Sequence, residues 1–271
     1  MFTREGGARS IMATDFPMVS PAPRTEIHCH LLPGVDDGAR DLGDSLAMAA
    51  VAAADGTATI VVTPHVRADF VADVSIVTQV FAELSEAVAR AGIEVELHRG
   101  GELGHDLIGR LSQSELEAIA VGPPGRRWLL VEAPFEGLDH AFGAATDELR
   151  ARGFGIVIAH PERASGLLED EAHGLRRELE EGSLLQVNHW SLTGAHGAEA
   201  EAAALELLGR GLIDALASDA HPGWRRPTLS VGAAAALAAG ADARTAAALV
   251  AERPSRLVRE GIPSRALAPL A

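Results

Sequence analysis

Five of the eleven histidines in this 271-residue chain, together with three acids, fall near the ends of short apolar runs. His28 and His30 close "TEIHCH", His65 closes "TATIVVTPH" and Glu102 closes "IEVELHRGGE". Glu132 lies in "RWLLVEAP", His160 in "FGIVIAHPE", and Asp219 with His221 ends "IDALASDAH"; the paired aspartates Asp36 and Asp37 follow the first run in "VDDG". Residues i and i+2 of a strand share a face, so His28 and His30 point together, as do Asp219 and His221, while Cys29 and Ala220 face away. A lone H-x-H is more often structural or a surface feature than a metal site. The joint pattern does not suit packing, because clustered carboxylates repel and buried charges are costly without partners. Cations are the economical partners. Imidazole with carboxylate fits Mn, Fe or Zn, and a thiolate site is closed to a chain with one cysteine.

Such dispersed residues meet only if the fold gathers them. Seven β-type runs, the six above with Asp37's neighbour strand counted once and "LLQVNHW" added, alternate with Ala-rich stretches of helical period, the βαβα signature of a mainly parallel sheet. An ordinary α/β barrel has eight, but in either case the C-terminal strand ends converge on one face. The spacing predicts helices over 44–56, 73–92 and 197–211, with Asp44 and Asp73 as N-caps and Gly56, Gly92 and Gly211 as stops. "GPPGRR" (122–127) reads as a turn, and the stretch from Asp242 to Gly261 as two short helices broken at Pro254.

A composition of 47% hydrophobic and 23% charged residues is that of a globular protein, and the length suits one barrel domain over 25–271. Residues 1–24 carry charges and prolines without an unbroken apolar stretch, which predicts a disordered leader rather than a signal peptide or anchor. All 23 basic residues are arginine and the net charge is −15, which argues against nucleic-acid partners and membrane insertion. One cysteine permits no intrachain disulfide, so a cytoplasmic location is expected.

Taken in order, "IHCHLLPGVDDG", "VVTPH", "GGE", "LLVEAP", "VIAHPER", "LLQVNHWSLTG" and "ALASDAHP" resemble the successive motifs of the polymerase and histidinol phosphatase (PHP) superfamily. The resemblance is closest to its bacterial tyrosine-phosphatase branch, which regulates capsule and exopolysaccharide synthesis, and runs from residue 26 to about residue 260. It implies an α/β fold, a distorted (β/α)7 TIM-like barrel, holding three divalent metal ions, Mn above all, with Fe or Zn as alternatives. It assigns His28, His30, Glu102, Glu132 and Asp219 to shared ligation of the first metals with His160 beside them, and Asp37, His65 and His221 to the third. It matches Arg163 and Arg226 to phosphate-binding positions, with Arg225 a solvated charge and Asp36 a loop-shaping residue. Three divalent cations against four carboxylates leave the cluster near +2, a pocket for a phosphate dianion. The implied reaction is metal-assisted hydrolysis of a phosphomonoester, on a phosphotyrosine protein such as the tail of a bacterial tyrosine kinase.

Rival readings differ in testable ways. A cysteine phosphatase needs an arginine six residues after its nucleophile, and Val35 stands there relative to Cys29, which reads as a core residue. A barrel amidohydrolase bridged by a carbamylated lysine is impossible without lysine. A histidinol-phosphatase-like small-molecule enzyme and a non-catalytic metal-binding regulatory barrel remain. His189 and Trp190 are placed near the site, with packing their simpler role. Two departures from the family pattern, Ala133 after Glu132 and Ala164 after Arg163, predict a widened rim.

Overall fold

The computed structural model describes residues 22–169 and 173–263; most of the leader expected over 1–24 lies outside the described residues. The seven β-type runs become nine strands: β1 (Arg24–Cys29), β2 (Thr57–Val62), β3 (His65–Val66), β4 (Glu96–Arg99), β5 (Glu102–Leu103), β6 (Trp128–Glu132), β7 (Gly155–Ala159), β8 (Leu184–Asn188) and β9 (Ala215–Ala217). The second run breaks at Pro64, which has no N–H to give a ladder. The third breaks at Gly100–Gly101, where a Cβ on Gly100 would lie 2.7 Å from the Val61 side chain.

All strand pairing is parallel, in the orders β1-β2-β4 and β3-β5-β6-β7-β8-β9. Counting β2/β3 and β4/β5 as single staves gives seven. A parallel bridge between Cys29 and Ala220 brings the last stave beside the first, and the His30 N–H donates to the Ala220 carbonyl at 3.1 Å. The architecture is the distorted (β/α)7 barrel that the resemblance implies.

Helices α1 (Leu42–Ala54), α2 (Val74–Arg90), α3 (Gln113–Ile119), α4 (His140–Ala151), α5 (His173–Glu180), α6 (Ala198–Gly209), α7 (Leu229–Ala238), α8 (Ala243–Val250) and α9 (Glu252–Glu260) connect and follow the strands. Asp73 caps α2 as expected, whereas α1 is capped by Asp41 rather than Asp44, whose own N–H is the one that Asp41 satisfies. The final pair breaks at Ala251, not at Pro254, which sits in the first turn of α9 where a missing N–H costs nothing.

Alternating residues divide the core. Leu129, Val131, Ile156, Ile158, Leu185 and Val187 face the helices, and Cys29 is buried in that same layer. Val61, Leu130, Val157 and Ala215 form a separate inner cluster with Trp128. Leu257 and Val258 of α9 join it, and the Trp128 indole donates to the Leu257 carbonyl at 2.9 Å, so α9 packs under the strands' N-terminal ends. The opposite end carries the polar residues. Among the described residues no helix is long and apolar enough to cross a membrane.

Candidate metal centre

The staves bring all nine sequence-predicted ligands to one place. Their donor atoms form four overlapping groups, each with mutual distances within 4.8 Å: His30, Asp37, His65 and His221; His28, His30 and Glu102; His28, His160 and Asp219; His65, Glu102 and Glu132. Shared members tie the groups together. Eight of the nine are buried, and Asp37, on the loop after β1, is half exposed.

Supporting side chains aim these donors. Asp36 takes the Nδ1–H of His30 at 2.7 Å and the His65 N–H at 2.9 Å on one oxygen, and the Gly38 N–H at 2.9 Å on the other. That fixes the His30 tautomer and leaves Nε2 pointing inward. Gln186 does the same for His28 Nδ1 at 2.8 Å, and passes its amide to Asn188 at 2.9 Å. Glu26, buried beneath, accepts the His28 N–H at 2.9 Å and the Ser218 N–H at 3.0 Å, pinning the first stave to the last. Glu162, also buried, accepts the Asn188 N–H at 3.0 Å and the Ser191 hydroxyl at 2.7 Å. Burial pushes both carboxyls up to about 7.

Two ligand positions hold unusual backbone. His160 (φ 34°) and Asp219 (φ 47°) are the non-glycine residues of positive φ among the described residues. Left-handed backbone costs a non-glycine residue of order 1–3 kcal/mol, and here it turns a side chain at the end of a stave back over the barrel mouth.

The donors divide between inward and supported atoms. Glu102 accepts His160 Nε2 on Oε1 at 2.8 Å, while its Oε2 lies 3.1 Å from His28 Nε2, 3.2 Å from His30 Nε2 and 3.0 Å from His65 Nδ1. Despite that crowding, Glu102 Oε2 and His65 Nδ1 are buried without a hydrogen bond. A carboxylate oxygen and an imidazole nitrogen buried side by side without a hydrogen bond are what a cation satisfies, so the residues fit divalent metal bound by imidazole and carboxylate. Although burial works against ionisation, the surrounding imidazoles hold Glu102 well below the usual carboxylate range. The hydrogen bond from His221 takes Asp37 down to about 2, whereas burial and the charge of Glu102 raise Glu132 to about 6.

Arginines stand over the cluster. Asp219 Oδ2 accepts Asn188 Nδ2 at 2.9 Å, Arg225 Nη1 at 2.9 Å and Arg163 Nη1 at 3.3 Å, leaving Oδ1 3.2 Å from His30 Nε2. The structure brings in Arg225 where the sequence favoured Arg226, which is exposed. The cause is a turn: the His221 N–H bonds the Arg225 carbonyl at 3.0 Å, folding residue 225 back over the site. Arg67 is a further guanidinium that sequence reading missed, with Nη1 3.1 and 2.8 Å from the two Glu132 oxygens. Its place directly after "TPHV" was the available signal. Ala133 and Ala164 are both buried. His189 is buried as packing requires, which drives its pKa down to about 3, and Trp190 lies against it.

A family model described as capsular polysaccharide synthesis, CpsB/CapC, matches residues 24–259. The chain is similar to the tyrosine-protein phosphatase YwqE of Bacillus subtilis (strain 168), at 31% identity over 197 residues covering 72% of this chain and 76% of that one. It is also similar to the tyrosine-protein phosphatase CpsB of Streptococcus pneumoniae, at 24% identity, with 87% and 98% covered. A solved chain from crystal structures of YwqE and CpsB, described as unique metal-dependent tyrosine phosphatases, superposes with TM-score 0.75 at 27% identity, covering 90% of this chain and 99% of that one. The Escherichia coli phosphotriesterase homology protein shares the fold, with TM-score 0.58 at 14% identity over 87% of this chain and 98% of that one.

Proposed function

The chain belongs to the CpsB/CapC family of capsular polysaccharide synthesis, and from that premise we propose that it is a metal-dependent protein-tyrosine phosphatase using three divalent ions, with manganese the preferred one. Its substrate is the phosphorylated tail of a cytoplasmic-side tyrosine kinase in polysaccharide export, and it works in the cytoplasm. The observation that carries the reading is the set of four donor groups joined through His28, His30, His65 and Glu102, with two guanidiniums meeting at Asp219 above them.

When bound, the cations supply Lewis acidity, lowering the pKa of coordinated water toward neutrality and offsetting phosphate charge. The chain's own residues do the rest. Asp36 and Gln186 hold the His30 and His28 rings in the tautomers that leave Nε2 free. Asn188, Arg163 and Arg225 hold Asp219 by one oxygen, so that the other stays on the inner side. Arg163 and Arg225 are partly exposed, and each engages Asp219 through one nitrogen, so their remaining N–H groups are available to the oxygens of a phosphoryl group. They give an otherwise acidic protein a local site for a dianion. A tyrosyl leaving group, of pKa near 10, departs more readily than an alkoxide.

The test is a comparison of kcat/KM over a panel containing a phosphotyrosine peptide, its phosphoserine counterpart and histidinol phosphate, with Mn present. Preference for the phosphotyrosine peptide is expected. Preference for histidinol phosphate would move the protein to the small-molecule reading, and no hydrolysis of any ester would leave the regulatory barrel.

A further inference from the structure

The described residues expose three aromatic side chains, and all three stand at the mouth of the metal centre. Phe70, Phe135 and Trp224 are 40%, 46% and 56% exposed, whereas Trp128, Phe142 and Phe154 are buried. They come from loops that follow β3, β6 and β9, far apart in sequence. An isolated exposed ring needs no explanation, but a convergent set around one opening marks a binding surface.

Each ring is paired with a site arginine. Phe70 stacks on His65 with centroids 4.9 Å apart and planes 13° apart, and Arg67 lies 5.8 Å from its centre. Phe135 lies 4.9 Å under the Arg163 guanidinium, and Trp224 lies 5.9 Å under that of Arg225. The edge of Trp224 is further set against Trp190 at 5.9 Å, and it meets His196 at 5.8 Å. The rings beside Arg163 and Arg225 are therefore held by the two groups best placed to take a phosphoryl group. Next to them a cavity of about 230 Å³ opens between Phe135, Arg163, His196 and Ala200.

We propose that Phe135 and Trp224 are specificity-determining residues that flank the aryl ring carrying the phosphate. The inference rests on the phosphatase reading above and goes beyond it by naming the side chains that choose aryl over alkyl esters. With the phosphoryl group on Arg163 and Arg225, a tyrosyl ring extends outward past both aromatic faces, where offset or edge contacts are favourable. The single methylene of a phosphoserine ends before it reaches them. Because each guanidinium lies over its ring, holding the phosphate also orders the aromatic wall.

Phe135→Leu, Trp224→Leu and the double variant keep apolar bulk but remove the ring faces, and Trp224→Phe restores one. The full chain, loaded with Mn, is assayed on phosphotyrosine and phosphoserine versions of one peptide, and on p-nitrophenyl phosphate against a small alkyl phosphate. The aryl-to-alkyl ratio of kcat/KM should fall at least tenfold in the double variant, mainly through KM for the aryl ester, with Trp224→Phe staying near the native ratio. A ratio within twofold of native overturns the proposal, as does an equal loss on all esters, which would make the rings mere supports for the arginines. A native protein inactive on every ester would sink the phosphatase reading instead. The slot is then read from binding of phenylphosphonate against methylphosphonate, where equal affinity for the two overturns it.

Discussion

Replacing Asp36 with Asn separates a loop brace from a residue that tunes the metal centre. The carboxylate accepts three hydrogen bonds, from His30 Nδ1 and the His65 N–H on one oxygen and from the Gly38 N–H on the other. An amide has one acceptor oxygen, so Asp36→Asn preserves at most the first two and turns an NH2 group toward the Gly38 N–H. It also removes the charge that makes His30 a stronger donor to a cation. Loss of such an outer partner typically costs 10–100-fold in metal affinity, about 1.4–2.7 kcal/mol at 1.36 kcal/mol per tenfold. Calorimetric titration of chelator-stripped protein with Mn should show that weakening, and saturating Mn should recover most phosphatase activity. Affinity within twofold of native, with only a lowered melting midpoint of the metal-free protein, would refute the tuning role and leave Asp36 as a brace.

Arg225→Met should raise KM for a phosphotyrosine peptide at least tenfold while Arg226→Met stays within twofold, because, of these two arginines, it is Arg225 that reaches Asp219; steady-state kinetics decide between the two. Glu26 holds its proton more tightly in the folded protein, with its pKa raised from 4.5 to about 7 by burial, so its contribution to stability falls as pH rises from about 4.5 to 7. Comparing urea denaturation of the native protein and Glu26→Gln across that window should show the native protein losing on the order of 3 kcal/mol relative to the variant, and parallel pH profiles would contradict it. Trp128→Phe removes the indole hydrogen bond to the Leu257 carbonyl at the buried contact with α9, while that carbonyl keeps the Gly261 N–H, so the lost bond should cost about 0.5–1.5 kcal/mol in the same denaturation assay with metal content unchanged.

Most of the donor groups that converge were legible because the fold places such residue types near the ends of apolar runs, and strand alternation tells His28 and His30 from Cys29; Asp37 was marked only by the family resemblance. What supports those ligands was less legible. Asp36 and Asp37 are neighbours with opposite fates, one buried against His30 and the other half exposed beside His221, and the loop that separates them is set by tertiary packing. Gln186 reads as an ordinary strand residue until β8 stands within 2.8 Å of His28. That Arg225 rather than Arg226 reaches Asp219 depends on one turn hydrogen bond that no spacing rule encodes. Likewise nothing in the departures at Ala133 and Ala164 pointed to Phe135, the exposed ring two residues beyond Ala133.

The proposed phosphotyrosine hydrolysis turns on metal held by the convergent histidines and carboxylates. Purified protein should contain bound divalent metal, release phosphate from a phosphotyrosine peptide, lose that activity on chelation and regain it with added Mn, with His30→Ala failing to regain it. Full phosphotyrosine hydrolysis by protein that metal analysis shows to be stripped would contradict the account.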